Sequence, residues 1–210
     1  MQQLLEKPAT EGAAWKYNAK RLATWAMTRM VNRDDAHGSY FVEGNKPQAR
    51  TARGRVDHAL LVNHFAAARI IGLHTTSTDD TCRWLTIDVD RHDADAEDLV
   101  PRNDDFARHL YDDLRGRGFR PLLLDSNGKG GRHLTILFDG PVPAREVRAF
   151  GLWLVRGWAE HGLPRQPEVF PKQDSILKAG GEIGYGNFDG LLVEKEFAAV
   201  DTSQKDSSGP

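Results

Sequence analysis

The run Trp-Leu-Thr-Ile-Asp-Val-Asp, Trp84 to Asp90, constrains this chain more than any other stretch. Its apolar and β-branched residues have the composition of a buried strand, yet it ends on two carboxylates. Side chains alternate along a strand, so Asp88 and Asp90 project from one face, roughly 6.6 Å apart at about 3.3 Å of rise per residue. Two such carboxylates without counter-charge repel, and a cation is the natural way to hold them. Hard oxygen ligands at this spacing suit a pair of Mg²⁺ or Mn²⁺ ions about 3.5 to 4 Å apart. The pair alone equally fits a strand that ends in water, or a glycosyltransferase, so the motif needs company.

The surrounding pattern places that strand in a mixed α/β chain. Ile70 to Thr76 and Trp84 to Asp90, separated by the turn-like Ser77 to Thr81, read as two neighbouring strands. Acid-rich Asp95 to Asp105 leads into a helix through about Arg117, with Phe106, Leu110 and Leu114 four apart and Gly118 as its cap. A strand (Phe119 to Asp125), a glycine-rich turn (Ser126 to Gly131), a strand (His133 to Asp139) and a proline-opened helix closed by Gly162 follow. An extended piece, Pro167 to Asp174, precedes a glycine-rich loop and a final short strand near Leu191 to Val193. Upstream, Trp15 to Val31 carries Leu22, Trp25, Ala26 and Met30 at helical spacing, and Asp57 to Arg69 reads as a second helix with His58 and His64 as surface or core residues. Between them, Tyr40 to Arg55 is basic and aperiodic. The expected fold is therefore α/β (α+β): a mainly helical, basic module at 1–69 packed on a core at 70–200, with a disordered tail at 201–210.

At 210 residues and 40% apolar, the chain is long enough to bury a core of its own. The single cysteine, Cys82, excludes an internal disulfide and a multi-cysteine zinc site, and fits a reducing, cytoplasmic setting. The N-terminus has no apolar signal region and no stretch nears eighteen apolar residues, so neither secretion nor a membrane partner is expected. The net charge of −2 hides a strong segregation. Twelve acids oppose four arginines from Thr76 to Asp113, whereas ten Lys and Arg oppose five acids from Leu114 to Gln173. Residues 1–60 are basic as well, ten against six, so a phosphate-tracking surface can flank an acidic centre.

Two further elements supply the company the acid pair needs. Ser126 to His133, Ser-Asn-Gly-Lys-Gly-Gly-Arg-His, lies between two strands. Its glycines let backbone approach a ligand closely, and Ser126, Lys129, Arg132 and His133 carry donors suited to phosphate oxygens. It is not a nucleotide P-loop, because it leads into a strand rather than a helix. On Pro167 to Asp174, Glu168 offers a third carboxylate with Lys172 and Gln173 as phosphate or base contacts, and Asp174 is the rival acid.

These pieces, in this order, resemble the archaeo-eukaryotic primase superfamily: an apolar strand ending in Asp-x-Asp, a Ser-Gly-rich-His element, then a third acid. The chain is most similar to the primase-like enzymes of bacterial conflict systems and mobile elements. There, counterparts of Ile70 to Asp90, of Asp125 to Phe138 and of Val169 to Asp174 recur, with Gly-Glu-Ile-Gly-Tyr-Gly-Asn (Gly181 to Asn187) trailing. Pro167 stands where several relatives place the third acid. The resemblance implies a catalytic sheet like that of an RNA-recognition-motif module and template-dependent nucleotidyl transfer, the work of a primase-polymerase. It further implies that Asp88, Asp90 and Glu168 hold two Mg²⁺ or Mn²⁺ ions, while Ser126, Lys129 and His133 hold the incoming triphosphate. Lys172 would face phosphates or template, and the arginines from Arg50 to Arg55 would follow the template backbone. The implied partners are a single-stranded DNA template, an NTP or dNTP, and by family analogy a helicase or accessory domain.

Two other classes compete. A nucleic-acid-binding replication-initiator domain that has lost catalysis has no reason to keep clustered carboxylates. A metal-dependent nuclease or rolling-circle initiator wants a His-x-His pair and a nucleophilic tyrosine, whereas His92 stands alone after the acids.

Overall fold

The structure is a computed structural model and describes residues 11–43, 46–91, 99–126 and 130–190. Lys129, His92, the strand expected at 191–193 and the tail at 201–210 lie outside the described residues. From Thr81 onward the chain runs strand, helix, strand, strand, helix, strand: β4 (Thr81–Val89), α3 (Leu99–Gly116), β5 (Leu122–Asp125), β6 (Arg132–Pro143), α4 (Ala144–Val155) and β7 (Glu168–Phe170). These strands form an antiparallel sheet in the order β5-β6-β4-β7. That connectivity and order are those of a split βαβ module, the sheet expected from the sequence.

Both helices cover one face of this sheet. Leu85, Ile87 and Val89 of β4, Leu134 and Ile136 of β6, and Val169 of β7 bury against Phe106, Leu110 and Leu114 of α3 and Val147, Leu154 and Val155 of α4. The four-residue spacing in α3 explains this, since it stacks one apolar stripe toward the sheet. Each such Leu or Ile, taken from water, contributes about 1.5 to 3 kcal/mol. Gly151 lets α4 sit close on the sheet, because a Cβ there would overlap Val169 and Leu85. The other face of β4, carrying Trp84, Thr86 and Asp88, is left for different neighbours.

A second antiparallel sheet, in the order β2-β1-β3-β8, is built from β1 (Ala36–Glu43), β2 (Lys46–Arg53), β3 (Ile71–His74) and β8 (Phe188–Gly190). With it pack α1 (Glu11–Arg29) and α2 (His58–Phe65), the latter capped by Asp57 accepting from the Leu60 N–H. Ala23 and Ala26 of α1, Leu61 and Phe65 of α2, and Ile71 and Leu73 of β3 share a core with Trp84, whose indole N–H donates to the Met30 carbonyl at 2.8 Å. This core seals the Trp84 end of the second face of β4.

Two expectations change. Ile71–His74 and Thr81–Val89 are not neighbouring strands: they belong to different sheets. Ser77 to Asp80 carries the chain across, with Asp80 at φ +52 and the Ser77 N–H donating to the Thr81 carbonyl at 2.8 Å. The aperiodic basic stretch from Tyr40 to Arg55 is mostly a hairpin, so the N-terminal part is helix, hairpin, helix. Its sheet takes strands from both sides of residue 70, so a division there passes through a sheet. His64 is a core residue whose Nδ1 accepts the Ile71 N–H at 3.2 Å, and Cys82 is a buried free thiol.

Candidate active site

At the open end of that second face of β4, register brings the expected residues into one row. Asp88 pairs with His133 of β6 on one side and with Glu168 of β7 on the other. Directly opposite residues in a ladder share a face, so all three side chains leave the same side of the sheet. The row below is plain structure: Thr86 and Thr135 face each other with their hydroxyls 2.8 Å apart. Asp90, two residues beyond Asp88, continues past the last ladder pair, Val89 with Arg132.

The glycine loop closes against Asp90. The Ser126 N–H donates to the Gly131 carbonyl at 3.1 Å, and Gly130 takes φ +96. A Cβ on Gly131 would lie 3.1 Å from the Ser126 Cβ and 3.5 Å from Asp90 Oδ1. The contact to Ser126 is the tight one, and glycine relieves it. From α3, the Asn103 carboxamide donates to the carbonyls of Asp90 and Gly130. A cleft of about 170 Å³ opens here, lined by Asp88, Asp90, Asn103, Arg165, Gln166 and Glu168 among others.

His133 and Asp88 are both largely buried, with Nε2 and Oδ1 3.3 Å apart. Asp88 Oδ1 makes no hydrogen bond, so the alignment falls short of one and the contact is electrostatic. Burial by itself would lower the His133 pKa; the carboxylates of Asp88, Asp189 and Asp90 outweigh it and lift the value to about 9. Asp189, buried on β8, brings the first sheet to bear on the row.

The remaining expected residues are placed as follows. Glu168 Oε2 accepts from Lys172 Nζ at 2.7 Å, and the ammonium also sits 4.7 Å from the Phe170 ring centroid. Arg132, one residue before His133, is held by Asp104 at 2.8 Å and Asp125 at 2.7 Å. The structure does not bring its guanidinium to the row, because alternation along β6 sends adjacent side chains to opposite faces. Asp174, the rival third acid, pairs instead with Arg148 of α4 at 3.2 Å.

A buried carboxylate oxygen without a hydrogen bond, flanked in register by another acid, is the donor chemistry a hard cation takes. Among the described residues, though, no three His, Cys, Asp or Glu side chains already close around one point. Glu168 Oε2 is taken up by Lys172, and Asp90 Oδ1 accepts the Arg91 N–H at 3.0 Å.

Two participants escaped the sequence reading. Asn103 had a signal: a polar residue on the apolar stripe of Leu99, Phe106, Leu110 and Leu114. Asp189 had none, lying in a glycine-rich stretch without periodicity.

The model of the family described as "TOTE conflict system, Archaeo-Eukaryotic Primase domain" matches residues 16–188. Among solved structures, the polymerase domain of ligase D from Mycobacterium tuberculosis, in complex with DNA, is similar at 10% identity and a TM-score of 0.39, covering 76% of this chain and 68% of that one. No curated protein matches. Since the family match takes in α2 through β7 whole, with every one of Asp88, Asp90, Ser126, His133 and Glu168, the chain belongs to the archaeo-eukaryotic primase domain family of TOTE conflict systems.

Proposed function

We propose that this domain is a template-dependent nucleotidyltransferase, a primase-polymerase that adds NTPs or dNTPs along single-stranded DNA. The observation that carries the reading is the row itself: Glu168, Asp88 and His133 on three adjacent strands, with Asp90 against the glycine loop. Asp88, Asp90 and Glu168 would hold Mg²⁺ or Mn²⁺. When bound, the cations supply Lewis-acid charge at the attacking 3′-hydroxyl and the departing pyrophosphate.

The chain's own groups do the rest. His133, directly opposite Asp88 in the ladder, offers a ring N–H donor to a phosphate oxygen. Ser126 adds a hydroxyl at the mouth of the loop, and the Lys129 ammonium belongs to the same loop in sequence. Lys172 neutralises Glu168 and is the cation nearest to hand for phosphate once that carboxylate is engaged elsewhere. Arg132 leaves the opposite face of β6 and is held there by Asp104 and Asp125, away from the row. Dispersing charge in a half-buried site lowers the barrier without a covalent enzyme intermediate.

A binding-only domain is the second reading, favoured by the Lys172 to Glu168 pair that occupies the third acid. One experiment separates the two: the domain is incubated with a single-stranded template, Mn²⁺ and labelled nucleotides. Template-complementary products support transfer. Tight template binding without any product rejects it.

A further inference from the structure

We infer that Asn103 is a positioning residue: it fixes the separation of the carboxylate strand and the glycine loop, and so sets triphosphate affinity. The inference rests on the nucleotidyl-transfer reading above.

Asn103 is 1% exposed within α3, on a stripe where its neighbours are apolar. A buried carboxamide is unfavourable unless its hydrogens are used. Here Nδ2 donates to the Gly130 carbonyl at 3.1 Å and to the Asp90 carbonyl at 3.3 Å. Both acceptors are carbonyls, which fixes the orientation of the amide.

The place of these two bonds matters more than their number. The β4 to β6 ladder ends at Val89 with Arg132, which leaves Asp90 and Gly130 beyond its last pair. Asn103 spans that gap from the side, adding one cross-tie just beyond the ladder. One turn earlier on α3, Val100 fills the space where a Gly130 Cβ would stand. The helix thus grips the loop by shape and ties it to the acid strand by hydrogen bonds. Asp cannot substitute, because it lacks donors, and Leu would leave both carbonyls unpaired.

The test uses the whole domain with Asn103→Ala and Asn103→Asp, and with Leu110→Val as a packing change on the same helix. KM for the triphosphate, kcat, nucleotide binding by fluorescence and thermal midpoint are measured for each. We expect KM to rise about 10-fold or more in both Asn103 variants, with a smaller change in kcat, as when a supporting hydrogen bond to ligand-holding groups is lost. Leu110→Val should lower the midpoint and leave KM unchanged. Asn103 variants that lose midpoint but keep KM, or that both fail to fold, overturn the inference and leave nucleotidyl transfer standing. A wild-type domain that neither binds nor incorporates nucleotide overturns both.

Discussion

Two largely buried histidines, one in each sheet, are driven in opposite directions. His74 of β3 sits between the rings of Tyr185 and Phe188 near Arg33, with neither ring nitrogen hydrogen-bonded, and burial with the Arg33 charge lowers its pKa to about 4. His133 of β6 is only partly exposed, yet the acids around it raise its pKa to about 9. Burial is common to both, so it does not distinguish them; the charge of the neighbours does. The first sheet spends its polar groups on structure, as in the Arg33 to Asp35 pair. The second gathers Asp88, Asp90 and Glu168 at the open end of one face of β4, beside a cleft.

The largest effect expected is on the second sheet. Asp88→Asn keeps the size of the side chain and removes the central charge, so nucleotide incorporation should fall by at least about 10³-fold with the melting curve little changed. Retained incorporation would break the contrast at once. His74→Phe comes next and acts on stability alone. The folded pKa of His74 lies below its unfolded value near 6.5, so the unfolded chain takes up a proton first as pH falls. Stability from this group is complete above pH 6.5, is lost between there and about 4, and the loss amounts to about 3 kcal/mol. Denaturant midpoints at pH 7 and pH 4.5 should differ less in His74→Phe than in the parent. The smallest pair concerns β6 alone. His133→Ala should raise KM for nucleotide about 10-fold, the value of one hydrogen bond, about 1.4 kcal/mol. Arg132→Ala should remove about 1 kcal/mol of stability and leave that KM within about two-fold.

What was legible in the sequence follows the same division. The second sheet could be read because its strands are short apolar runs bounded by glycine and proline, and its helices repeat every four residues. Its acids could be read because Asp88 and Asp90 interrupt an apolar run where alternation fixes their side. Glu168 was preferred over Asp174; in the fold Glu168 lies opposite Asp88, while Asp174 reaches Arg148. The first sheet could not be read in the same way. β1 and β2, Ala-His-Gly-Ser-Tyr-Phe-Val-Glu and Lys-Pro-Gln-Ala-Arg-Thr-Ala-Arg, have little alternation and few β-branched residues, and β2 is an edge strand. β3 looked like a partner for β4 because nothing local reports that a six-residue link crosses between sheets. Arg132 was grouped with the other loop donors by sequence, but alternation sends His133 to the row and Arg132 to Asp104 and Asp125.

The convergence of the three acids is tested most directly by diffraction from crystals grown with Mn²⁺ and a non-hydrolysable nucleoside triphosphate, using the anomalous signal of manganese. The expected map has manganese bound by Asp88 and Asp90, Glu168 turned from Lys172 toward the metal, and phosphate oxygens against Ser126 and His133. Manganese bound elsewhere, or an Asp88 carboxylate still engaged only with His133 at saturating metal, would contradict it.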